Sequence, residues 1–206
     1  MDIYKNLFID TAALLKPIGY TKKRSFFYLK KENNWGVIDF QKSTKTTATN
    51  TLFTINLGIC SSVLRAWRSR LMPGEDLASP PDLLQCQWQM RIGDLLPRPG
   101  DHWWEINENT SYEALSKDVF SFILDLAVPK IEKYIKDESL EEYWLEGKNG
   151  GLTPAGVYRS LAVLLKTYNR DNLDEFIKKW KEAEKRNINL VNQFLTDLGY
   201  EEGKTS

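Results

Sequence analysis

Histidine and cysteine are scarce in this chain of 206 residues, which has one histidine and two cysteines. His102 is not accompanied by a nucleophile motif such as Gly-x-Ser-x-Gly, so the sequence gives little support to a catalytic triad. Cys60 and Cys86 lack the Cys-x-x-Cys spacing of a zinc site and are too few for a disulfide framework. We therefore predict free thiols, a cytoplasmic protein, and neither a metal nor another cofactor.

A net charge, a membrane-spanning run and a phosphate-binding loop are also absent. Lys+Arg and Asp+Glu each number 28, so the overall charge does not favour nucleic acid as a partner. The longest apolar stretch, Val119 to Val128, is too short to cross a membrane and contains Asp125. The Gly150-Gly151 pair is not followed by the Lys-Ser or Lys-Thr of a P-loop, which argues against a nucleotide-binding enzyme.

Segments marked by tryptophan and glycine fill the first half of the chain, and apolar and polar residues alternate in them with a period near two. This pattern predicts strands that have one solvent-facing side. The predicted strands span residues 25–31, 35–42, 51–60, 86–95 and 102–107. Strands this close in sequence must be antiparallel, because a parallel crossover needs about a dozen residues or more.

The first two predicted strands form a hairpin whose tight turn we place at Asn33-Asn34. On the second strand of this hairpin, the period of two separates the side chains between the two sheet faces. We expect Ile38 and Phe40 on one face, and Val37 and Asp39 on the other.

Helical periodicity marks the N-terminus, where Pro17 and Gly19 should end an amphipathic first helix. A second, basic helix is predicted over residues 62–72, since apolar residues at helical spacing alternate there with three arginines, Arg65, Arg68 and Arg70. Proline and glycine are frequent in the residues that follow. We therefore predict a mobile loop over residues 72–85.

The second half of the chain is predicted to be helical, with Pro129 kinking or dividing one helix. Gly147 to Gly151 is typical of a linker, and the Thr153-Pro154 pair is typical of a helix start. The predicted fold is α+β: an N-terminal helix, a four- to five-stranded antiparallel sheet, helices on one face and a C-terminal helical extension. We place the α+β domain at residues 1–147 and the extension, packed on it, at residues 148–206.

Several short motifs follow one another in an order that resembles a known protein family. They are Asn34-Trp35-Gly36, Phe40-Gln41-Lys42-Ser43, Phe53 to Gly58, Arg91-Ile92-Gly93 and Trp103-Trp104. In this order they resemble the family described as domain of unknown function 4304, over about the first 120 residues. The resemblance implies a bacterial cytoplasmic protein, with no assigned activity and no catalytic residues to carry over.

Candidate binding residues lie on or beside the predicted strands and the basic helix. Asp39 is predicted to be half-buried and to need a partner, for which Arg91 on another strand is the obvious candidate. Trp35, Trp104 and Trp67 are large aromatic side chains of the kind that anchor interfaces when they are exposed. Because Trp103 and Trp104 are adjacent, one must point to the core, and the C-terminal helices could cover the other.

Three functions are consistent with these residues. The leading hypothesis is a non-enzymatic module that binds a protein partner, with an immunity-like role as one form of it. The alternative is a small-molecule-binding protein or enzyme with a cleft between sheet and helices. The third is nucleic-acid binding through residues 21–70, which are rich in Lys and Arg, although the neutral overall charge makes nucleic acid the weakest of these partners. The oligomeric state is left open.

Overall fold

The chain folds around one antiparallel sheet, seen in a computed structural model that describes residues 2–71, 74 and 76–202. The strands are β1 (Tyr20–Lys23), β2 (Phe26–Lys31), β3 (Asn34–Lys42), β4 (Thr51–Cys60), β5 (Trp88–Arg91) and β6 (Trp104–Ile106). The first five are neighbours in chain order, and β6 pairs with β4 beside β5. The α+β prediction is confirmed, and β1 adds an edge strand that was not predicted.

Helices precede and follow this sheet. They are α1 (Ile3–Leu15), α2 (Ser62–Leu71), α3 (Tyr112–Ser121), α4 (Val128–Tyr134), α5 (Asp137–Leu145), α6 (Pro154–Thr167), α7 (Leu173–Ala183) and α8 (Ile188–Leu198). The predicted basic helix is therefore present as α2. Within the described residues, every helix is too short or too polar to cross a membrane.

Alternate residues of each strand face opposite sides of the sheet, as predicted for β3. Ile38 and Phe40 belong to the main core, which α1, α3 and α4 also build. Val37 belongs to a smaller cluster on the opposite side. We call the side with Ile38 the helix face and the side with Val37 the second face.

Close packing of α4 on the helix face depends on Gly36 in β3. A Cβ atom at this position would lie 2.3 Å from Cγ2 of Ile131. Ile131 is fully buried, and its branched side chain is fixed by the core around it. Glycine therefore allows the helix to approach the strand backbone.

The turn between β2 and β3 lies one residue earlier than predicted. It consists of Glu32 and Asn33, while Asn34 pairs with Lys31 inside the hairpin. The buried Asn34 side chain donates to the carbonyl of Ile135 at 2.9 Å and to Asp137 Oδ1 at 2.8 Å. These bonds hold Asn34 within the strand and join the hairpin to the start of α5.

Pro129 lies just after a π-helical segment, and α3, this segment and α4 follow one another in sequence without a gap. A π-helical segment, Phe122–Ala127, connects α3 to α4, and the backbone N–H of Val128 donates to the carbonyl of Ile123. A proline cannot donate the backbone bond of a regular helix. The wider turn places the proline at the start of α4, so that the chain continues as one curved helical element.

The C-terminal helices pack against α2 and α5, and their buried side chains belong to the main core. Thr153 caps α6 as predicted, because its hydroxyl accepts from the N–H of Gly156. The predicted linker lies along the sheet edge: Gln89 N–H of β5 donates to the carbonyl of Gly150 at 2.7 Å. The division of the chain at residue 147 stays a prediction.

Residues 72, 73 and 75 of the segment that we predict to be mobile lie outside the described residues. Further along, Leu83 and Cys86 pack on the second face at Gly58, and we call residues 76–87 the cover segment. The strand predicted over residues 86–95 is shorter than expected. It ends at Arg91, because Ile92–Leu95 forms a 3₁₀ turn.

Candidate functional site

Polar side chains form a row across the second face. In the strand register, Phe26 of β2 is opposite Asp39 of β3, Asp39 is opposite Asn56 of β4, and Asn56 is opposite Arg91 of β5. Directly opposite residues of antiparallel strands point to the same side of the sheet. The row therefore brings two of the predicted site residues, Asp39 and Arg91, to one surface.

Asp39 is a buried carboxylate, with only 8% of the residue exposed. Its Oδ1 accepts from Ser25 Oγ at 3.1 Å, and Oδ2 accepts from Asn56 Nδ2 at 3.5 Å. Burial raises the pKa of Asp39, and the negative charge of Asp82 adds to the rise, while the bonds from Ser25 and Asn56 act in the opposite direction. In the described part of the chain, no cation pairs with this carboxylate.

Arg91 pairs with a different acid from the one predicted. Its Nη1 donates to Asp101 Oδ1 at 2.5 Å, and its guanidinium lies 5.5 Å from the ring centre of Trp103. The predicted pairing with Asp39 is wrong, because β4 runs between the two strands and Asn56 occupies the intervening position. Arg91 instead borders an open groove of about 510 Å³ that also contains Gln41, Asn56, Gln89, Asp94 and Asp101.

Trp35 also lies on the second face, at the opposite end from Arg91. Its ring meets that of Tyr28 edge-on at 6.0 Å, and the Lys30 ammonium lies 5.0 Å from its centre. Trp35 and Phe26 are partly buried around a small cluster formed by Tyr28, Val37, Cys60 and Cys86. The described members of this cluster belong to β2, β3, β4 and the segment that precedes β5.

The other two predicted site tryptophans lie elsewhere. Trp104 is in the main core with 6% of the residue exposed, stacks on Phe53 at 5.4 Å, and donates its indole N–H to Asp118 Oδ2 at 2.6 Å. Trp67 of α2 packs edge-on against Phe194 of α8 at 5.8 Å. Trp104 is thus a scaffold residue, and Trp67 joins α2 to the C-terminal helices.

Two arginines of α2 hold the cover segment in place. Arg65 is buried and donates to the carbonyl of Ser79 at 2.8 Å and to that of Asp76 at 3.0 Å. Arg68 donates to the carbonyl of Leu84 at 3.4 Å. Hydrogen bonds to charged donors are stronger than neutral ones. The basic character of α2 therefore serves, in part, to position an irregular segment.

The cover segment packs directly on the strand backbone at Gly58. A Cβ atom at this position would lie 2.7 Å from Cys86 Sγ and 2.8 Å from Leu83 Cδ1. Cys86 and Cys60 are both buried, and neither forms a disulfide bond. Burial and the neighbouring Cys60 raise the pKa of the Cys86 thiol, so the protonated, unreactive form is favoured.

Three large leucines are exposed around α2 and the cover segment. Leu84 is 85% exposed, Leu71 is 59% exposed and Leu77 is 42% exposed. Arg65 and Arg68 bring Leu77 and Leu84 beside α2, because they bond to backbone carbonyls at or next to these residues. We call these three residues the exposed leucines. Sequence analysis missed them, although Leu83-Leu84 is an apolar pair within a polar loop.

The single histidine of the chain does not join the polar row. His102 lies on the helix side, stacked on Phe122 at 4.7 Å and edge-on to Trp104 at 4.4 Å. Among residues 2–71, 74 and 76–202, no three His, Cys, Asp or Glu side chains are grouped as metal ligands. The arrangement is suited to binding through apolar contacts and hydrogen bonds.

The basic side chains of residues 21–70 are divided among several places. Lys22 and Lys42 lie over Phe8 and Tyr4 of α1, at 5.7 and 4.2 Å from the ring centres. Lys30 lies on the second face, and Arg65 points into the fold. A nucleic-acid backbone is usually held by cations that converge on one groove. Arg24 and Lys42 do share a groove beside Tyr4 and Phe8, whereas Lys30 and Arg65 lie elsewhere.

One comparison with known proteins gave a match. The family model described as domain of unknown function (DUF4304) matches residues 11–133. Searches of curated proteins and of solved structures returned no match. The matched residues include every strand of the sheet and end within α4. The chain belongs to this family, as its short motifs predicted.

Proposed function

We propose that this DUF4304 protein is a non-enzymatic cytoplasmic module that binds a protein partner through the exposed leucines. The observation that carries the proposal is the exposure of Leu84, Leu71 and Leu77 around one helix. Scattered exposed leucines are common on soluble proteins, but grouped ones often mark an interaction surface. An immunity-like role, with a toxin as the partner, is one form of the proposal and rests on analogy of size and class alone.

The way in which the leucines are held supports this function. Interfaces bind best when their anchors are positioned before the partner arrives, since less conformational freedom is then lost. The hydrogen bonds from Arg65 and Arg68 hold the backbone of the cover segment at Asp76, Ser79 and Leu84, and the segment between these points stays more mobile than the strands in our prediction. Arg70 is exposed next to the patch, with its guanidinium 5.5 Å from the Trp67 ring. We therefore expect apolar partner side chains flanked by a carboxylate.

The two other hypotheses have less support from the geometry. A cleft between sheet and helices would need space where Ile38, Ile55 and Leu57 lie fully buried. Nucleic-acid binding would draw on cations that are divided among several places, because Arg24 and Lys42 lie beside α1 while the guanidinium groups of Arg65 and Arg68 bond to backbone carbonyls. Protein binding, in contrast, would use the exposed leucines, whose side chains are accessible to a partner.

The test is affinity capture from the organism that encodes the chain, with quantitative mass spectrometry of bound proteins and metabolites. Wild type is compared with Leu84→Ser and with Leu190→Ser, a matched control because Leu190 is 63% exposed on α8. We expect one protein to be retained by wild type and by the control and to fall by about tenfold or more with Leu84→Ser.

Equal retention by Leu84→Ser would contradict the proposal, as would enrichment of a metabolite without any protein. Thermal unfolding of all three chains serves as the folding control. Substitutions at such exposed positions should leave the melting temperature nearly unchanged.

A further inference from the structure

A second candidate site lies in the C-terminal helices, outside the residues that match the family model. It is a groove of about 480 Å³ between the end of α5 and the first halves of α6 and α7. Its volume lies within the range of about 300–1,000 Å³ that is usual for small-molecule sites. Nothing in the protein-binding proposal uses these residues.

The walls of the groove are mainly aromatic and aliphatic. Trp144 of α5, Tyr158 and Val157 of α6, and Phe176 of α7 line it. Tyr158 is held in place by the parallel ring of Trp180, with 5.7 Å between the ring centres and 3° between the planes. Rigid aromatic walls favour a ligand with a flat apolar body.

A hydrogen-bond donor is left without a partner at this groove. Trp144 is 2% exposed, and its indole N–H is buried with no acceptor in the described part of the chain. A buried donor without an acceptor is costly, because it loses water and gains nothing. This N–H is enclosed in the fold, so Trp144 contributes its ring, and not a donor, to the wall of the groove.

The charged groups that line the groove are two ammonium groups and one carboxylate. Lys148 pairs with Glu146, which lies outside the lining, at 2.5 Å, and Lys179 pairs with Glu175 at 2.7 Å. All four side chains are at least half exposed, so solvent screens both pairs and either lysine can exchange its partner. Within the lining itself the lysines outnumber the carboxylate, and an anionic group can bind at the rim where it displaces Glu146 or Glu175 from its lysine.

We propose that this groove binds a small organic anion with a flat apolar body, such as an aromatic carboxylate or sulfonate. The aromatic walls, which include the Trp144 ring, take the apolar body, and Lys148 and Lys179 take the anionic group. This site is independent of the exposed leucines, and either can exist without the other.

The probe is 8-anilinonaphthalene-1-sulfonate, titrated into the full chain and followed by its fluorescence. N-phenyl-1-naphthylamine, which lacks the sulfonate, measures the contribution of the anion. We expect saturable binding of one sulfonate dye per chain, tighter than that of the neutral dye. We also expect a shift of the Trp144 indole N–H resonance, assigned with Trp144→Phe.

Two sets of variants locate the site. Lys148→Glu combined with Lys179→Glu should weaken binding of the sulfonate dye by about tenfold or more and leave the neutral dye nearly unaffected. Lys178→Glu is the matched control, because Lys178 borders a different pocket of α7, and it should change the affinity by less than about twofold. Val157→Trp should fill the groove and abolish binding of both dyes.

Any of several results would overturn this proposal. They are the absence of saturable binding, equal affinity for the two dyes, an unmoved Trp144 resonance, or equal weakening by the Lys178→Glu control. The lysine variants replace exposed side chains, so their melting temperatures should match wild type. A dye signal that appeared only in a destabilised variant would report exposed core and would also count against the site.

Discussion

The two faces of the sheet are built from alternate residues of the same strands, yet they are covered in different ways. On the helix face, Ile38, Ile55 and Leu57 are fully buried beneath helices. On the second face, Asp39, Asn56 and Arg91 form a polar row, and an irregular segment covers part of it. The period of two therefore assigns each residue to one face of the sheet, and the element that covers a face determines which side chains stay accessible there.

This contrast predicts that the helix face carries most of the stability of the fold. Trp104→Ala should lower the free energy of unfolding by about 3–5 kcal/mol, because it removes a buried indole that stacks on Phe53 and bonds to Asp118. Denaturant unfolding of wild type and variant measures the loss. A loss below about 1 kcal/mol would mean that the indole is a surface group.

Two glycines allow a matched comparison of the faces. Gly36→Ala places a Cβ against Ile131 on the rigid helix face and should cost about 1–3 kcal/mol of stability. Gly58→Ala places a Cβ against Leu83 and Cys86 on the second face. We expect the cover segment to shift, with a loss at the lower end of the same range, about 1 kcal/mol.

Limited proteolysis distinguishes a shifted cover segment in Gly58→Ala from packing strain on the helix face in Gly36→Ala. The Gly58→Ala variant should be cut faster than wild type within residues 72–85, and Gly36→Ala should not show this selective change. In wild type, residues 72–85 should be cut before residues 51–58. Equal protection of both ranges would contradict the predicted mobility of the segment.

Arg91 should contribute little to stability, since its side chain is 38% exposed and that of Asp101 is 66% exposed. Exposed ion pairs are usually worth about 0.2–1 kcal/mol, so Arg91→Ala should cost no more than this. Thermal unfolding of Arg91→Ala and Asp101→Ala, with the double variant, gives the pair energy. A loss above about 2 kcal/mol would place the guanidinium in a buried network instead.

The smallest expected effect is the pH dependence from Asp39. Its pKa is raised above 3.8 in the folded chain, chiefly by burial, so folding favours the protonated carboxyl. The Asp39 carboxyl therefore makes its full contribution to folding stability below pH 3.8. This contribution is lost as the pH rises through the raised pKa of the folded chain. Asp39→Asn removes this loss, and the Ser25 hydroxyl can accept from the new amide.

The measurement is the melting temperature of wild type and Asp39→Asn between pH 4 and pH 8. At pH 7 the variant should melt at the same temperature as wild type or at a higher one. As the pH falls, the melting temperature of wild type should rise relative to that of the variant. The opposite trend would mean that the pKa of Asp39 is lowered by a cation.

Much of the fold could be predicted because it follows from local patterns. The alternation in residues 35–42 separated Ile38 from Val37 correctly, and the Thr153-Pro154 pair marked the start of α6. Strand β1 was missed because only Tyr20 of its four residues is buried, which leaves no alternating apolar pattern to detect. The turn was misplaced by one residue because Asn34 is held by Asp137, which is 103 positions away.

The candidate surface was harder to predict, because it depends on contacts between segments. Asp39 and Arg91 were correctly expected on a sheet, but their pairing depends on which strand lies between them. Exposure of Leu84 cannot be deduced from its neighbours in sequence, since it results from the hydrogen bonds of α2 to the cover segment. Trp104 could not be assigned to core or surface until the helices that cover it were known.

The central claim is that the helix face is scaffold and the surface around the exposed leucines is the binding surface. Photo-crosslinking tests it most directly, with p-benzoylphenylalanine placed at Leu84 or at Leu190 in the encoding organism. We predict one discrete protein adduct from position 84 and none from position 190. An adduct from position 190 alone, or none from position 84, would contradict the claim.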